Sequence, residues 1–274
     1  MHLVGVCHQL RPEAFVAKLQ SMASACGVTL RGVVVSNNMA HAWTAMPRGV
    51  EILRGSNQLL DFSGFFEGLD HLLVRDPEAA ASNVMFVNDT LVTKHAATCI
   101  LSRVLSLDVL LENLRVPAMG GKLDPYRAIC MRNPWSGHPG YITSFCFVLN
   151  SLALPLMQQL AADAQADGVL GGTEVADANW GLQMPRELRE MLRAHLLYPA
   201  SPFLWPAARS SSPDLLRRKA SSSYCEHRLS GHLGKSGVVM PINTGPRSSA
   251  LIAISERMAR LSRVIGPKIG FPLR

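Results

Sequence analysis

Short apolar runs that alternate with helix-spaced segments constrain this chain more than any other feature. Residues 3–7, 32–35, 50–53 and 84–87 are mostly apolar and each is too short for a buried helix, as expected of strands covered on both faces. Between the first two, Pro12 opens a helical pattern in which Phe15, Leu19 and Met22 share a face, and Gly27 ends it. Between the third and fourth, Phe65, Leu69 and Leu72 or Leu73 recur at helical spacing. Strands alternating with helices join through right-handed crossovers, so the sequence predicts an α/β fold with a Rossmann-like, mostly parallel central sheet flanked by helices.

In such a sheet ligands collect beyond the carboxyl ends of the strands. Cys7-His8-Gln9, Ser36-Asn37-Asn38, Arg54 to Asn57 and Asn88-Asp89-Thr90 each follow one of the runs and are expected on one rim. Strands end in turns and turns are polar, which accounts for part of the pattern. It does not account for a lone acid, Asp89, at the end of the fourth strand.

After residue 115 the chain reads as loop through Pro117, Gly120-Gly121, Pro125, Pro134, Gly137, Pro139 and Gly140. A strong strand at 144–149 then leads into a helix at about 152–167, and Leu188, Met191, Leu192 and His195 mark another. Ser210 to Ser212 followed by Pro213 open a helix expected to run to Gly234 or Gly237. A short strand at 238–242 and a helix at about 248–265 finish the helical C-terminal part. This division gives one domain over 1–245, with halves 1–115 and 116–245, and a basic helix and tail over 246–274.

The net charge of +7 is unevenly placed: residues 209–274 hold 12 Lys and Arg against 3 Asp and Glu. A basic end favours anionic partners, of which a nucleotide diphosphate and an anionic membrane surface fit best. Nucleic acid is not expected as a partner, because the aromatic residues are not interleaved with the basic ones and no nucleic-acid-binding motif is present. The six cysteines lack paired spacing and read as reduced, buried thiols. No run reaches the roughly 20 apolar residues of a membrane span, and the opening MHLVGVCHQL carries no secretory pattern. The expectation is a cytoplasmic protein, with peripheral attachment to the inner membrane as an option.

Four strings, taken in order, resemble the nucleotide-sugar glycosyltransferases of the GT-A fold, and within them the family 2 enzymes and the rhamnan-synthesis branch of bacterial polysaccharide assembly. They are the first two strands, with Val4-Gly5-Val6 and Val33 to Asn38; Asn57-Gln-Leu-Leu-Asp61-Phe-Ser-Gly64 continuing to Glu67-Gly68-Leu69; Phe86-Val87-Asn88-Asp89-Thr90; and Tyr224-Cys225-Glu226-His227-Arg228-Leu229-Ser230. The resemblance implies a GT-A-like fold and transfer of a hexose or deoxyhexose, with inversion, from a nucleotide-diphosphate donor. The acceptor would be a glycan or lipid-linked molecule in the synthesis of surface polysaccharide such as lipopolysaccharide. It implies that His8, Asn37, Asn57, Asp61, Asn88 and Asp89 bind the donor. Asp89 stands in place of an Asp-x-Asp motif as ligand of Mg2+ or Mn2+, and Glu226 is the catalytic base. Ser36 departs from the pattern, since family 2 enzymes carry an acid there, so the nucleotide base is left unspecified.

These residue types suit the chemistry. Glycosyl transfer needs charge relief on the leaving diphosphate, a base for the acceptor hydroxyl and exclusion of water. A divalent ion held by one or two carboxylates and the phosphates meets the first need. Asp89 then binds charge or caps a turn; if it binds charge, Asp89→Ala should leave the fold intact. Asp61 holds sugar hydroxyls or caps a helix, and Glu226 is either the base or an exposed helical acid beside Arg228. A base near neutral pH must have its pKa raised from about 4.3 by burial. Asp124, Glu174 and Asp177 are the substitutes, and His138 is placed on the acceptor side, its other reading being a structural His in a Pro/Gly loop.

Other motifs read as coincidences. Gly231 to Ser236 imitates a P-loop end, but Leu229 occupies the position of its first Gly and a helix precedes it. Cys225, His227 and His232 lack a second ligand pair for zinc. The function class that competes with an enzyme is a catalytically degenerate GT-A-like domain that binds a nucleotide sugar, or a membrane-surface adaptor.

Overall fold

The computed structural model describes residues 1–38, 40, 46–126, 132–201, 204–243, 250–255 and 257–258. Its centre is a sheet made, among these residues, of seven strands: β1 (His2–Cys7), β2 (Arg31–Ser36), β3 (Val50–Arg54), β4 (Val84–Asn88), β5 (Ala118–Pro125), β6 (Gly140–Leu149) and β7 (Val238–Pro241). The helices are α1 (Pro12–Ser24), α2 (Asp61–Arg75), α3 (Thr90–Lys94), α4 (Ala97–Leu105), α5 (Asp108–Glu112), α6 (Leu154–Ala166), α7 (Arg186–Leu196) and α8 (Pro213–Ser236). The strand order is β3-β2-β1-β4-β6-β5-β7. Neighbours are parallel except where β6 runs antiparallel to β4 and β5. The expected α/β class and mostly parallel sheet are what the structure shows.

Alternation along the central strands explains the two layers of helices. Val4 and Val6 of β1 join Val33 and Val35 of β2 in the core under α2, α6 and α8. Leu3 and Cys7 join Val34, Met85 and Val87 in the core under α1 and α4. Successive side chains point to opposite faces and both are buried, so period two is hidden in an unbroken apolar run. From β1 the chain winds outward to β2 and β3 on one side and onward to β4 on the other. That reversal is the topological switch point at which open α/β sheets bind ligands.

Strand β5 corrects the reading of residues beyond 115 as loop. Gly120 and Gly121 mark close packing there: a Cβ on Gly120 would lie 2.4 Å from Leu107 Cδ1, and one on Gly121 2.5 Å from Ile142 Cγ2. Strand β6 likewise begins at Gly140, earlier than the apolar run. The halves assigned as 1–115 and 116–245 share one sheet. Residues 244–249 and 259–274 lie outside the described residues, which leaves 250–255 and 257–258 as the visible part of the C-terminal helix.

Candidate active site

The rim beyond β1–β4 holds most of the expected donor residues together. Asp89 follows β4 and is 1% exposed. Its Oδ2 accepts from three successive backbone N–H groups of the turn after β1: His8 at 2.9 Å, Gln9 at 2.6 Å and Leu10 at 2.9 Å. Asn88 is also buried and closes its own turn, its Oδ1 accepting from Thr90 N at 3.0 Å. The His8 ring meets Asp61 at 2.9 Å between Nε2 and Oδ1. Burial opposes the charged imidazole, but the hydrogen bond and charge of Asp61, aided by Asp89, outweigh it and raise the His8 pKa above its ordinary value. Asp61 makes no cap on α2, whose N-cap position is Leu60, so its partner is the histidine.

The loop between β3 and α2 is strained. Asn57 and Leu60 have φ of 54° and 52°, a region non-glycine residues seldom occupy. Asn37 Nδ2 donates to Leu60 O at 3.0 Å, and Asn57 Nδ2 to Asn37 O at 3.4 Å. The Oδ1 atoms of Asn37 and Asn57 are buried without a partner among the described residues. Arg218 of α8 ties this loop down, its Nη1 donating to Asn57 O at 3.2 Å. Arg217 and Arg218 line a cavity of about 580 Å³ with Ser56, Asn57 and Gln58.

Further along α8 the same helix walls a second cavity, of about 430 Å³, with Lys219, Ser223, Glu226 and His227. Positions i, i+4, i+7 and i+8 fall on one helical face. Across from them stand Asp124 and Tyr126 of the β5 end and Tyr141 of β6. Glu226 Oε1 accepts from Ser144 N. Val87 pairs with Cys146 in the antiparallel register, so Ser144, two residues earlier, is level with Asp89 and belongs to the same rim. Burial pushes the Glu226 carboxyl up to about 7, against the opposing charge of Lys219 and the Ser144 N–H and with a smaller push from Asp124. Arg228, the neighbour that would have marked an exposed charged face, turns to Asp163 of α6 at 3.0 Å, which also holds His232, and so fixes α8 on α6.

No family model matches the chain, and neither a curated protein nor a solved structure matches it. What the site can do follows from its own geometry.

That geometry separates the expected residues. Asp61, His8, Asn37 and Asn57 form a connected polar rim, and Glu226 lies in the wall of a cavity at the level of that rim. Glu174 and Asp177 are exposed on the loop after α6 and do not line the cavity. His138 is spent on its own turn: Nδ1 meets Gly140 O at 3.0 Å and its Cβ faces Gly234, two helical turns beyond Glu226. Asp89 Oδ2 is taken by three N–H groups and the side chain is largely buried, so Oδ1 is the oxygen it would offer a metal ion. Among the described residues no group of three His, Cys, Asp or Glu is placed to hold a metal. Arg218, Lys219, Tyr126 and Tyr141 were not singled out from the sequence. The spacing of Lys219, Ser223 and Glu226 on a helix carried a signal for the α8 wall of the Glu226 cavity. The tyrosines carried none, since they meet only through the pairing of Asp124 with Tyr141 between β5 and β6.

Proposed function

We propose that the chain transfers a sugar from a nucleotide-diphosphate donor to a hydroxyl acceptor, with Glu226 as general base. The observation that carries this reading is the Glu226 carboxyl in the wall of a cavity beside the polar rim of a switch-point sheet, where burial pushes its pKa up to about 7. Glu226 Oε2 takes the acceptor proton while Ser144 N–H holds Oε1. The freed electron pair of the acceptor oxygen forms the new bond to the anomeric carbon, and the old bond to the diphosphate breaks with its electrons going to phosphate. Charge on that leaving group is met by Arg218 and Lys219, which project from consecutive positions of α8 toward the two cavities. The donor's ribose and base would lie over His8, Asp61, Asn37 and Asn57, where two buried amide oxygens await donors. Mg2+ or Mn2+ would enter with the diphosphate and relieve its charge. Surface polysaccharide synthesis, with a glycan or lipid-linked acceptor at the cytoplasmic face of the membrane, is the setting that the resemblance implies.

Two observations favour the degenerate reading: Ser36 is fully buried where an acid would hold the nucleotide, and Asp89 Oδ2 serves the loop. Donor hydrolysis and thermal shift across a panel of nucleotide sugars, with and without Mn2+, separate the two. Turnover supports the enzyme, a raised melting temperature without turnover supports the binding domain, and neither effect defeats both.

A further inference from the structure

The walls of the Glu226 cavity contain a hydrogen-bond chain that the proton transfer does not use. Asn133 Oδ1 accepts from the N–H groups of Trp135 at 3.1 Å and Ser136 at 3.3 Å, which fixes the amide orientation. Asn133 Nδ2 then donates to Tyr126 Oη at 3.0 Å and to His227 O at 2.9 Å. Tyr126 Oη, which accepts from Asn133, also lies 2.9 Å from His227 Nδ1. When Tyr126 donates its proton to Nδ1, His227 carries its own on Nε2. The ring also lies against Tyr126 and Tyr141, with centroids 5.3 and 4.1 Å away.

We propose that this cavity takes a neutral sugar ring through two adjacent hydroxyls, one giving its proton to Glu226 and the other accepting from the Nε2–H of His227. The inference rests on the glycosyl-transfer reading and names its acceptor class. The apolar face of the ring packs on the Tyr141 and Tyr126 side, as small-ligand sites combine aromatic walls with a few fixed polar groups. A free anionic acceptor is disfavoured beside Asp124 and Glu226, while Lys219 is left to the donor's diphosphate. Tyr126 and Asn133 are positioning residues that hold His227 in one tautomer. The groups that bear on its charge are Lys219 and Glu226 on α8, His195 on α7 and Asp124 on β5. Burial first, then His195 and Lys219, push its pKa down to about 3, so it stays a neutral donor through the physiological range.

The test uses the full chain labelled with 15N at its histidines, the His227 signals being identified by their loss in His227→Gln. Wild type should show a neutral Nε2–H ring that does not titrate between about pH 5 and 8. Tyr126→Phe keeps the ring packing, removes the donor to Nδ1 and should give a mixed tautomer. Methyl glycosides of glucose, mannose and rhamnose, compared with deoxy analogues lacking one hydroxyl of each vicinal pair, should show binding of at least one glycoside. That binding should weaken about tenfold in Tyr126→Phe and on loss of the second hydroxyl. Thermal shifts by nucleotide sugars should be unchanged in that variant. An Nδ1–H or cationic ring, glycoside binding indifferent to Tyr126→Phe, preference for inorganic phosphate, or no glycoside binding overturns the inference. A wild type that binds glycosides but no nucleotide sugar defeats the transfer reading and leaves the sugar site standing.

Discussion

Two carboxylates that look alike in the sequence have opposite roles because of what surrounds them. Asp89 is an acceptor for the backbone, and removing it leaves three N–H groups of the turn after β1 without their oxygen. Asp89→Ala should therefore destabilise the protein by about 3 kcal/mol in urea unfolding, with Asp89→Asn costing less because an amide oxygen can still accept. This is the opposite of the expectation that Asp89→Ala spares the fold, and urea unfolding of the variant decides between them. Glu226 is held near a cavity, and its carboxyl is raised from 4.5 to about 7. The native state binds more protons at this group than the unfolded chain between these values, so the contribution of Glu226 to stability is greatest below about pH 4.5 and declines as the pH rises to about 7. Glu226→Gln should match wild type in acid and exceed it by about 3 kcal/mol above pH 7, read from denaturation at several pH values. The same substitution should keep donor binding and lose transfer by about 10²- to 10⁴-fold, while the wild-type rate rises with pH through about 7. Loss of donor binding together with rate would make Glu226 structural.

At the scale of elements, the string from Asp61 to Leu69 shows why a motif was legible before its reason was. Gly64 and Gly68 lie one turn apart on α2, and a Cβ at these positions would come 2.7 Å from Val6 Cγ2 and 2.6 Å from Val4 Cγ1. They let the helix settle onto β1, which brings Asp61 at its first turn to His8 at the strand's end. Gly68→Ala should improve intrinsic helix propensity and yet lower stability by about 1–3 kcal/mol in urea unfolding, because the methyl group overpacks the helix–sheet contact. Elements with local periodicity were readable: α1 begins at Pro12, and α8 begins after Ser212, whose side chain accepts from Leu215 N at 3.2 Å and which is followed by Pro213. Strand β5 was not readable, since its reason for being extended lies in partners as distant as β7 and in glycines that make room for Leu107 and Ile142. The candidate site divides the same way. Asn37, Asn57 and Asp61 follow from strand and helix ends, whereas the pairing of Glu226 with the rim follows from the antiparallel placement of β6.

At the scale of the whole molecule, charge and exposed apolar surface coincide at the C-terminal end. Sequence periodicity places Leu251, Ile254 and Met258 on one stripe, with Leu261 and Ile265 continuing it beyond the described residues. In the structure Ile252 is the residue that docks on the core, at 3% exposure, while Leu251, Ile254 and Met258 are 53%, 57% and 65% exposed. The stripe thus faces outward over the visible segment and is not covered by the domain beneath it. Arg257 is exposed beside it, and the sequence adds Arg260, Arg263, Lys268 and Arg274. No helix among the described residues is long and apolar enough to cross a membrane. An apolar stripe flanked by arginines fits an anionic bilayer surface, where each basic side chain contributes about 1 kcal/mol and salt weakens the sum. Sedimentation should show binding to vesicles containing phosphatidylglycerol at low salt, little to phosphatidylcholine vesicles, and release as salt is raised. Replacing Leu251, Ile254 and Met258 by Ser should cut that binding, as should Arg257, Arg260 and Arg263 to Gln, while transfer to a soluble acceptor should be spared, since Leu251, Ile254, Arg257 and Met258 do not line the Glu226 cavity. Equal binding to both vesicle types, or none at low salt, would assign the basic end to the nucleotide diphosphate and leave the outward stripe to a protein partner.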